Sequence, residues 1–187
     1  NIPIRSSQGR EIRKAFIAPE GHKLLSADYS QIDLRVLAHI SEDPLLCETF
    51  WKGGDVHTET AAQVFHVPQN EVTKEMRRRS KAINFGIVYG QQAWGLAQGL
   101  DIDREEAQKF INQYFEKYSG VRAWLENILV EARKEGLVRT ISGRKRRIPE
   151  INSSNAQFRG FAERTAMNTP IQGSSADIIK AAMIQVQ

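Results

Sequence analysis

Cysteine is almost missing from this chain: Cys47 is the single one in 187 residues. One thiol forms no internal disulfide and builds no Cys-rich zinc site, and it fits a reducing, intracellular setting. Long apolar runs are missing too, so no membrane-spanning helix is expected. There is no basic-then-apolar leader, so no secretion signal is expected either. Glycine (13) and proline (6) are too few and too scattered for a collagen-like repeat or a flexible linker. With 41% apolar and 26% charged residues, the chain has the composition of a soluble globular domain rather than of a disordered tail.

Charge is present in modest net amount but uneven distribution. The net value of +4 is 26 basic minus 22 acidic side chains. Arg77, Arg78, Arg79 and Lys81 form one basic run, and Arg144, Lys145, Arg146 and Arg147 form another. Two such runs suit a partner with clustered phosphates, and they also suit two solvated faces. The chain opens on Asn1 and stops at Gln187 inside an apolar-periodic stretch. We therefore expect a piece of a larger protein.

The pattern along the chain predicts mostly helix with a few strands, an α+β fold. Residues 11–18 read as extended, and His22 to Asp28 as a short strand with Asp28 at its C-terminal end. Helices are expected from Ser30 to Ile40, after Asp55 to about Phe65, and from Lys74 to Tyr89 with Thr73 as N-cap and Gly90 as stop. The strongest periodicity follows Asp103, with Glu106 three residues on, and continues beyond Gly120 to Gly136. Residues 137–151 read as a hairpin with a basic tip around Gly143. Asn155 to Asn168 reads as a helix that Pro170 separates from a last helix starting near Ser174.

Within the predicted helix Lys74 to Tyr89, the residues Arg77, Lys81, Phe85 and Tyr89 follow at intervals of four. Each step turns the direction by about 40°, so they form one slowly winding stripe about 18 Å long. Its cationic half sits at the positive end of the helix dipole, where phosphates bind, and its aromatic half suits stacking on a base. That is the shape of a nucleoside triphosphate. Core aromatics beside solvated arginines would give the same spacing. Gly86, costly inside a helix, would be explained by a flat ligand close to the backbone. Asp28 after a strand suits a divalent metal, and equally suits a cap or turn.

The motifs D-Y-S-Q-I-D-L-R (Asp28 to Arg35), R-R-R-S-K-A-I-N-F-G-I-V-Y-G (Arg77 to Gly90) and N-T-P-I-Q-G-S-S-A-D-I-I-K (Asn168 to Lys180) resemble three segments of family A DNA polymerases, the bacterial DNA polymerase I type. The resemblance runs over essentially the whole chain. It implies polymerase fingers with part of an antiparallel-sheet palm: 1–40 and 166–187 in the palm, 41–165 in the fingers. The implied activity is template-directed DNA synthesis in replication or repair, with nucleotidyl transfer from deoxynucleoside triphosphates to a primer end. The implied partners are primer–template DNA and deoxynucleoside triphosphates, and the implied cofactor is a pair of Mg2+ ions. A cytoplasmic protein of the bacterial nucleoid, or a viral protein, would fit.

The resemblance also implies roles. Asp28 and the Tyr29 carbonyl would bind metal. Arg77 and Lys81 would hold the triphosphate, Lys81 also protonating the leaving pyrophosphate, with His57 and Gln31 touching the same group. Phe85 would pack on the nucleotide's sugar and base, and Tyr89 would sit at the insertion site. Arg164, Asn168 and Gln172 would contact the minor-groove side of primer–template DNA, where acceptors are common to all base pairs. For Arg144 to Arg147, a phosphate role and plain solvation remain equal.

Two departures from the family pattern stand out. A V-H-D-E-type third motif, source of the second metal-binding carboxylate, is not found in these residues, so the 187 residues alone are expected to be inactive. Asp33 stands where the family usually has Glu, which blocks a ribose 2′-hydroxyl, so sugar discrimination is expected to be looser. Phe85, rather than Tyr, implies that dideoxynucleotides are poor substrates. The other readings are a single-subunit RNA polymerase, disfavoured by the acid at position 33, and a non-catalytic nucleic-acid-binding module that keeps the polymerase surface.

Overall fold

The computed structural model describes residues 6–186. The chain divides into two compact units, Asn1–Ser30 and Gln31–Gln187. In the first, helix α1 spans Ser7–Lys14, where an extended segment was expected from residue 11. Ser6 Oγ accepts from the Gly9 amide at 3.0 Å, and Glu11 pairs with Lys14 one turn on, so the local signals favour helix. The strand expected at His22 to Asp28 is also absent: the segment is irregular and exposed. A strand is defined by its partner, and among the described residues the only ladder is a hairpin far along the chain.

The second unit holds eight further helices among the described residues. These are α2 (Ile32–Ser41), α3 (Pro44–Trp51), α4 (Val56–Val64), α5 (Lys74–Val88), α6 (Ala93–Leu100), α7 (Arg104–Lys117), α8 (Ser119–Glu135) and α9 (Ala156–Val186). Strands β1 (Leu137–Arg139) and β2 (Lys145–Arg147) form an antiparallel hairpin with Val138 opposite Arg146. The fold is α+β and mostly helical, as the pattern predicted. The expected N-caps hold in detail: Asp55, Thr73 and Asp103 each accept a backbone N–H of the first turn, at 3.2, 3.2 and 2.7 Å.

The main core gathers Leu34 and Leu37 of α2, Val56 of α4, Ile83 and Val88 of α5, Leu96 of α6, Tyr114 of α7 and Val121 of α8. A smaller cluster of Ala132, Val138, Ile148, Ile151, Ala162 and Ala166 joins α8, the hairpin and α9. Asp43, 1% exposed, ties the main bundle together by capping two helices at once. Its Oδ1 accepts from Leu46 N in α3 at 3.0 Å, and its Oδ2 from Gly120 N in α8 at 2.9 Å. The approach requires glycine: a Cβ at position 120 would lie 2.8 Å from Asp43 Cα.

Pro170 does not divide two helices; it lies inside the single helix α9. A mid-helix proline removes one backbone hydrogen bond and costs about 3 kcal/mol in an exposed helix. Here Ala166, Pro170, Ile171 and Ser174 are buried, with α9 packed on α2, α8 and β1, and that burial outweighs the local penalty. Ser174 Oγ donates back to the Pro170 carbonyl.

Candidate nucleotide and nucleic-acid site

Helix α5 carries the stripe expected from the spacing. Arg77 and Lys81 are exposed, whereas Phe85 and the C-cap residue Tyr89 are half-buried. Lys81 Nζ lies 5.8 Å from the Phe85 ring centre, and the Phe85 and Tyr89 rings stack at 5.8 Å with 26° between their planes. Cation, ring and ring thus form one continuous surface.

The basic run on α5 is sorted by helical phase. Arg78 pairs with Glu75 on the exposed side, and Arg79 Nη2 donates to the Leu100 carbonyl at the end of α6 at 3.3 Å. Arg77 Nε donates to Asp55 Oδ2 at 2.5 Å. Asp55 gathers further donors in the Thr58 hydroxyl (2.7 Å), His57 N (3.2 Å) and Gln31 Nε2 (3.4 Å). Burial works against its ionisation, but the Arg77, Thr58 and His57 hydrogen bonds outweigh that and hold its carboxyl below the ordinary range. Gln31, Asp55, His57 and Arg77 therefore meet around one carboxylate, which keeps the Arg77 guanidinium oriented.

His57 is 2% exposed, with its ring 5.7 Å from that of Phe85. Thr60 Oγ1 donates to Asn84 Oδ1 at 3.0 Å, and Asn84 Nδ2 donates to His57 Nδ1 at 2.9 Å. This leaves the ring proton on Nε2. Desolvation by burial, helped by Arg77 and Lys81 and opposed by Asp55, pushes the imidazole down to about 4. Near neutral pH His57 is a single N–H donor and carries no charge.

At the other end of the stripe, Tyr89 Oη donates to Asp33 Oδ2 at 2.5 Å, and Ser175 Oγ donates to Asp33 Oδ1 at 2.5 Å. Burial first, and then the Asp33 carboxylate, push the Tyr89 phenol well above its ordinary value, while Gln172 pulls it the other way. Ser175 carried no signal of its own in the sequence, because its partner lies 142 residues away. Helix α9 also presents Arg164, Asn168 and Gln172 at intervals of four. It approaches the turn after Tyr89 closely: a Cβ on Gly90, at φ +71°, would lie 2.4 Å from Met167 Cε and 3.3 Å from Arg164 Cγ. The Asn168 Oδ1 atom is buried without a partner among the described residues, a free acceptor on this face.

Gly86 has a different reason from the one expected. It is buried, and a Cβ there would meet Gln91 Oε1 at 2.6 Å and Leu96 Cδ1 at 3.3 Å. The chain's own turn into α6, not a flat ligand, takes up that space.

The hairpin's basic run divides by strand alternation. Arg144, just before β2, donates through Nε to Asp177 Oδ1 at 2.9 Å and through Nη2 to the Gly173 carbonyl at 3.0 Å. Arg146 reaches Thr169 Oγ1 at 3.3 Å. Hydrogen bonds from Ser142 and Thr140, and then Arg144, pull Asp177 down to about 2. Two of the four cations thus clamp the hairpin onto α9, while Lys145 and Arg147 occupy alternate positions and are exposed.

Asp28 and Tyr29 lie in the first unit, both exposed on the irregular segment after α1. Among the described residues no three His, Cys, Asp or Glu side chains converge as a metal site would require, and no helix is long and apolar enough to cross a membrane. A cavity of about 740 Å3 lies between α6, α7 and α8, lined by residues such as Trp94, Arg104, Phe115 and Arg122. It includes none of the stripe residues.

The sequence profile of DNA polymerase family A matches residues 1–187, the whole chain. The chain belongs to DNA polymerase family A. It is 56% identical over 187 residues to DNA polymerase I of Geobacillus stearothermophilus and 57% identical to that of Bacillus subtilis. All of this chain is matched in each case, and it spans 21% of each relative's length. Among solved structures, the POL domain of Pol1 from M. smegmatis, in complex with DNA primer-template and dNTP, superposes with a TM-score of 0.90 at 51% identity. That match covers 98% of this chain and 33% of the other. Family A membership agrees with all three motifs read from the sequence.

Proposed function

We propose that this segment supplies the nucleotide-binding surface of a template-directed DNA polymerase. One observation carries the reading: the stripe Arg77–Lys81–Phe85–Tyr89 is intact, exposed at its cationic end, and bordered at its aromatic end by Asp33 and by α9. Support also comes from the Pol1 domain, whose structure includes primer-template and dNTP. Arg77 and Lys81 bind the triphosphate, and Lys81, with its exposed ammonium, protonates the departing pyrophosphate. Asp55 keeps Arg77 extended until phosphate oxygens replace its carboxylate. Gln31 and the Nε2–H of neutral His57 supply uncharged donors to the same group. Phe85 and Tyr89 stack on sugar and base, and Arg164, Asn168 and Gln172 contact the primer–template minor groove. Residues 1–40 and 166–187 then belong to the palm and 41–165 to the fingers.

Magnesium supplies Lewis acidity and an activated primer hydroxyl in such a reaction. The described residues do not by themselves fit a two-ion centre: Asp28 is exposed, and no three His, Cys, Asp or Glu side chains gather among them. On that ground the 187 residues alone are expected to give no turnover. The second reading is a binding module that holds DNA without extending it. Primer extension by the full-length protein, with Asp28→Ala beside it, separates the two. Extension that the substitution abolishes is expected; tight DNA binding with no extension would establish the binding module instead.

A further inference from the structure

The Asp33 carboxylate has a second holder besides Tyr89. Ser175 Oγ lies 2.5 Å from Asp33 Oδ1 and 3.1 Å from the carbonyl of Ile171, four residues back on α9. A helical serine satisfies itself with that carbonyl alone. Its hydroxyl has one proton, and a charged acceptor at the shorter distance takes it. The side chain is 4% exposed, so the donor stays fixed, while Asp33 is only half-buried and its carboxylate borders the aromatic end of the stripe.

Resting on the nucleotide-binding reading above, we infer that Ser175 is a positioning residue for sugar selection, holding Asp33 Oδ1 so that the carboxylate turns away an incoming ribose. With Oδ2 bonded to Tyr89 and Oδ1 to Ser175, the carboxylate plane is fixed, and its remaining lone pairs cannot turn to meet a new donor. A 2′-hydroxyl brought against it loses water and gains no comparable hydrogen bond, which disfavours ribonucleotides. Aspartate is one methylene shorter than glutamate, and a donor on the far helix compensates by fixing it in place. Without the Ser175 hydroxyl, Oδ1 is free to accept from the ribose, and the ribonucleotide binds better.

The test is single-nucleotide incorporation by the full-length protein on primer–template DNA, with matched deoxy- and ribonucleotides, for the natural chain, Ser175→Ala and Ser175→Thr. Ser175→Ala is expected to lower the deoxy-over-ribo ratio of kcat/KM at least about tenfold, the order a lost hydrogen bond to a charged group supplies. The change should come mainly from a lower KM for the ribonucleotide. Ser175→Thr keeps the hydroxyl and should restore most of the ratio. A ratio within twofold of the natural chain in Ser175→Ala, or equal losses in the Ala and Thr variants, would overturn the inference while leaving the polymerase reading intact. Absence of deoxynucleotide incorporation by the natural protein would overturn both.

Discussion

Tyr89 and Asp33, 56 residues apart in sequence, are joined by a 2.5 Å hydrogen bond from the phenol to Oδ2. The bond links the C-cap of α5 to the first turn of α2, so the aromatic end of the α5 stripe has a fixed floor. Aspartate reaches this partner despite its short side chain. What it lacks is the extra methylene that carries a glutamate carboxylate further out.

That difference predicts the behaviour of Asp33→Glu. The longer side chain projects further toward a bound sugar, so rejection of ribonucleotides should improve by about tenfold, the lower end of what one methylene supplies in a fitted pocket. Competition between matched ribo- and deoxynucleotides in the full-length protein measures it. Equal discrimination by the two proteins would show that side-chain length at position 33 does not set sugar choice.

The state of His57 sets a pH dependence. Its folded value of about 4 lies below the unfolded 6.5, so the unfolded chain binds the extra proton first. The contribution of a neutral, buried His57 is complete above pH 6.5 and is lost progressively as pH falls toward 4. Imidazole nitrogen NMR should show His57 neutral, with the proton on Nε2, at pH 5.5. A charged ring at that pH would contradict the Asn84–His57 arrangement.

Asp43 caps α3 and α8 through separate oxygens. Asp43→Ala removes both acceptors and leaves buried amides unpaired, with an expected cost of about 2–3 kcal/mol. Native-state hydrogen exchange should show the Leu46 and Gly120 amides losing protection together. If only one helix end loosens, the two caps are not coupled.

Gly173 allows the hairpin to close on α9. A Cβ there would lie 2.6 Å from Thr140 Cγ2 and 3.3 Å from Arg144 Nη2. Gly173→Ala should therefore lift the hairpin and cost about 1–3 kcal/mol. Faster proteolysis at Ser142–Gly143 is the expected readout, and an unchanged cleavage rate would place the clamp elsewhere.

What the sequence makes legible is what depends on near neighbours. The caps at Asp55, Thr73 and Asp103 and the four-residue spacing of Arg77, Lys81, Phe85 and Tyr89 are local, and all of them hold in the fold. Features set by distant partners are not legible in this way. Asp43 meets Gly120 across 77 residues, and Asp33 meets Ser175 across 142. Pro170 reads as a break because burial of α9, which overrides it, is a tertiary effect, and Gly86 reads as a ligand contact because Gln91 folds back onto it. The segment His22 to Asp28 has the composition of a strand but no partner among the described residues. The basic runs look uniform in sequence, whereas helical phase gives Arg77, Arg78, Arg79 and Lys81 different neighbours, and the hairpin turns Arg144 and Arg146 onto α9.

The most direct test of the account uses that sorting. Arg78 and Lys81 belong to the same basic run, but Lys81 lies on the stripe beside Phe85, and Arg78 is paired with Glu75 away from it. Single-nucleotide incorporation by the full-length protein should lose at least about a hundredfold in kcat/KM in Lys81→Ala, as expected when a triphosphate contact and a proton donor are removed together. Arg78→Ala should stay within about threefold of the natural protein, as expected of an exposed i,i+3 pair. Comparable losses in the two variants would mean that the run acts only as diffuse positive charge, and would contradict a nucleotide site built on this one face of α5.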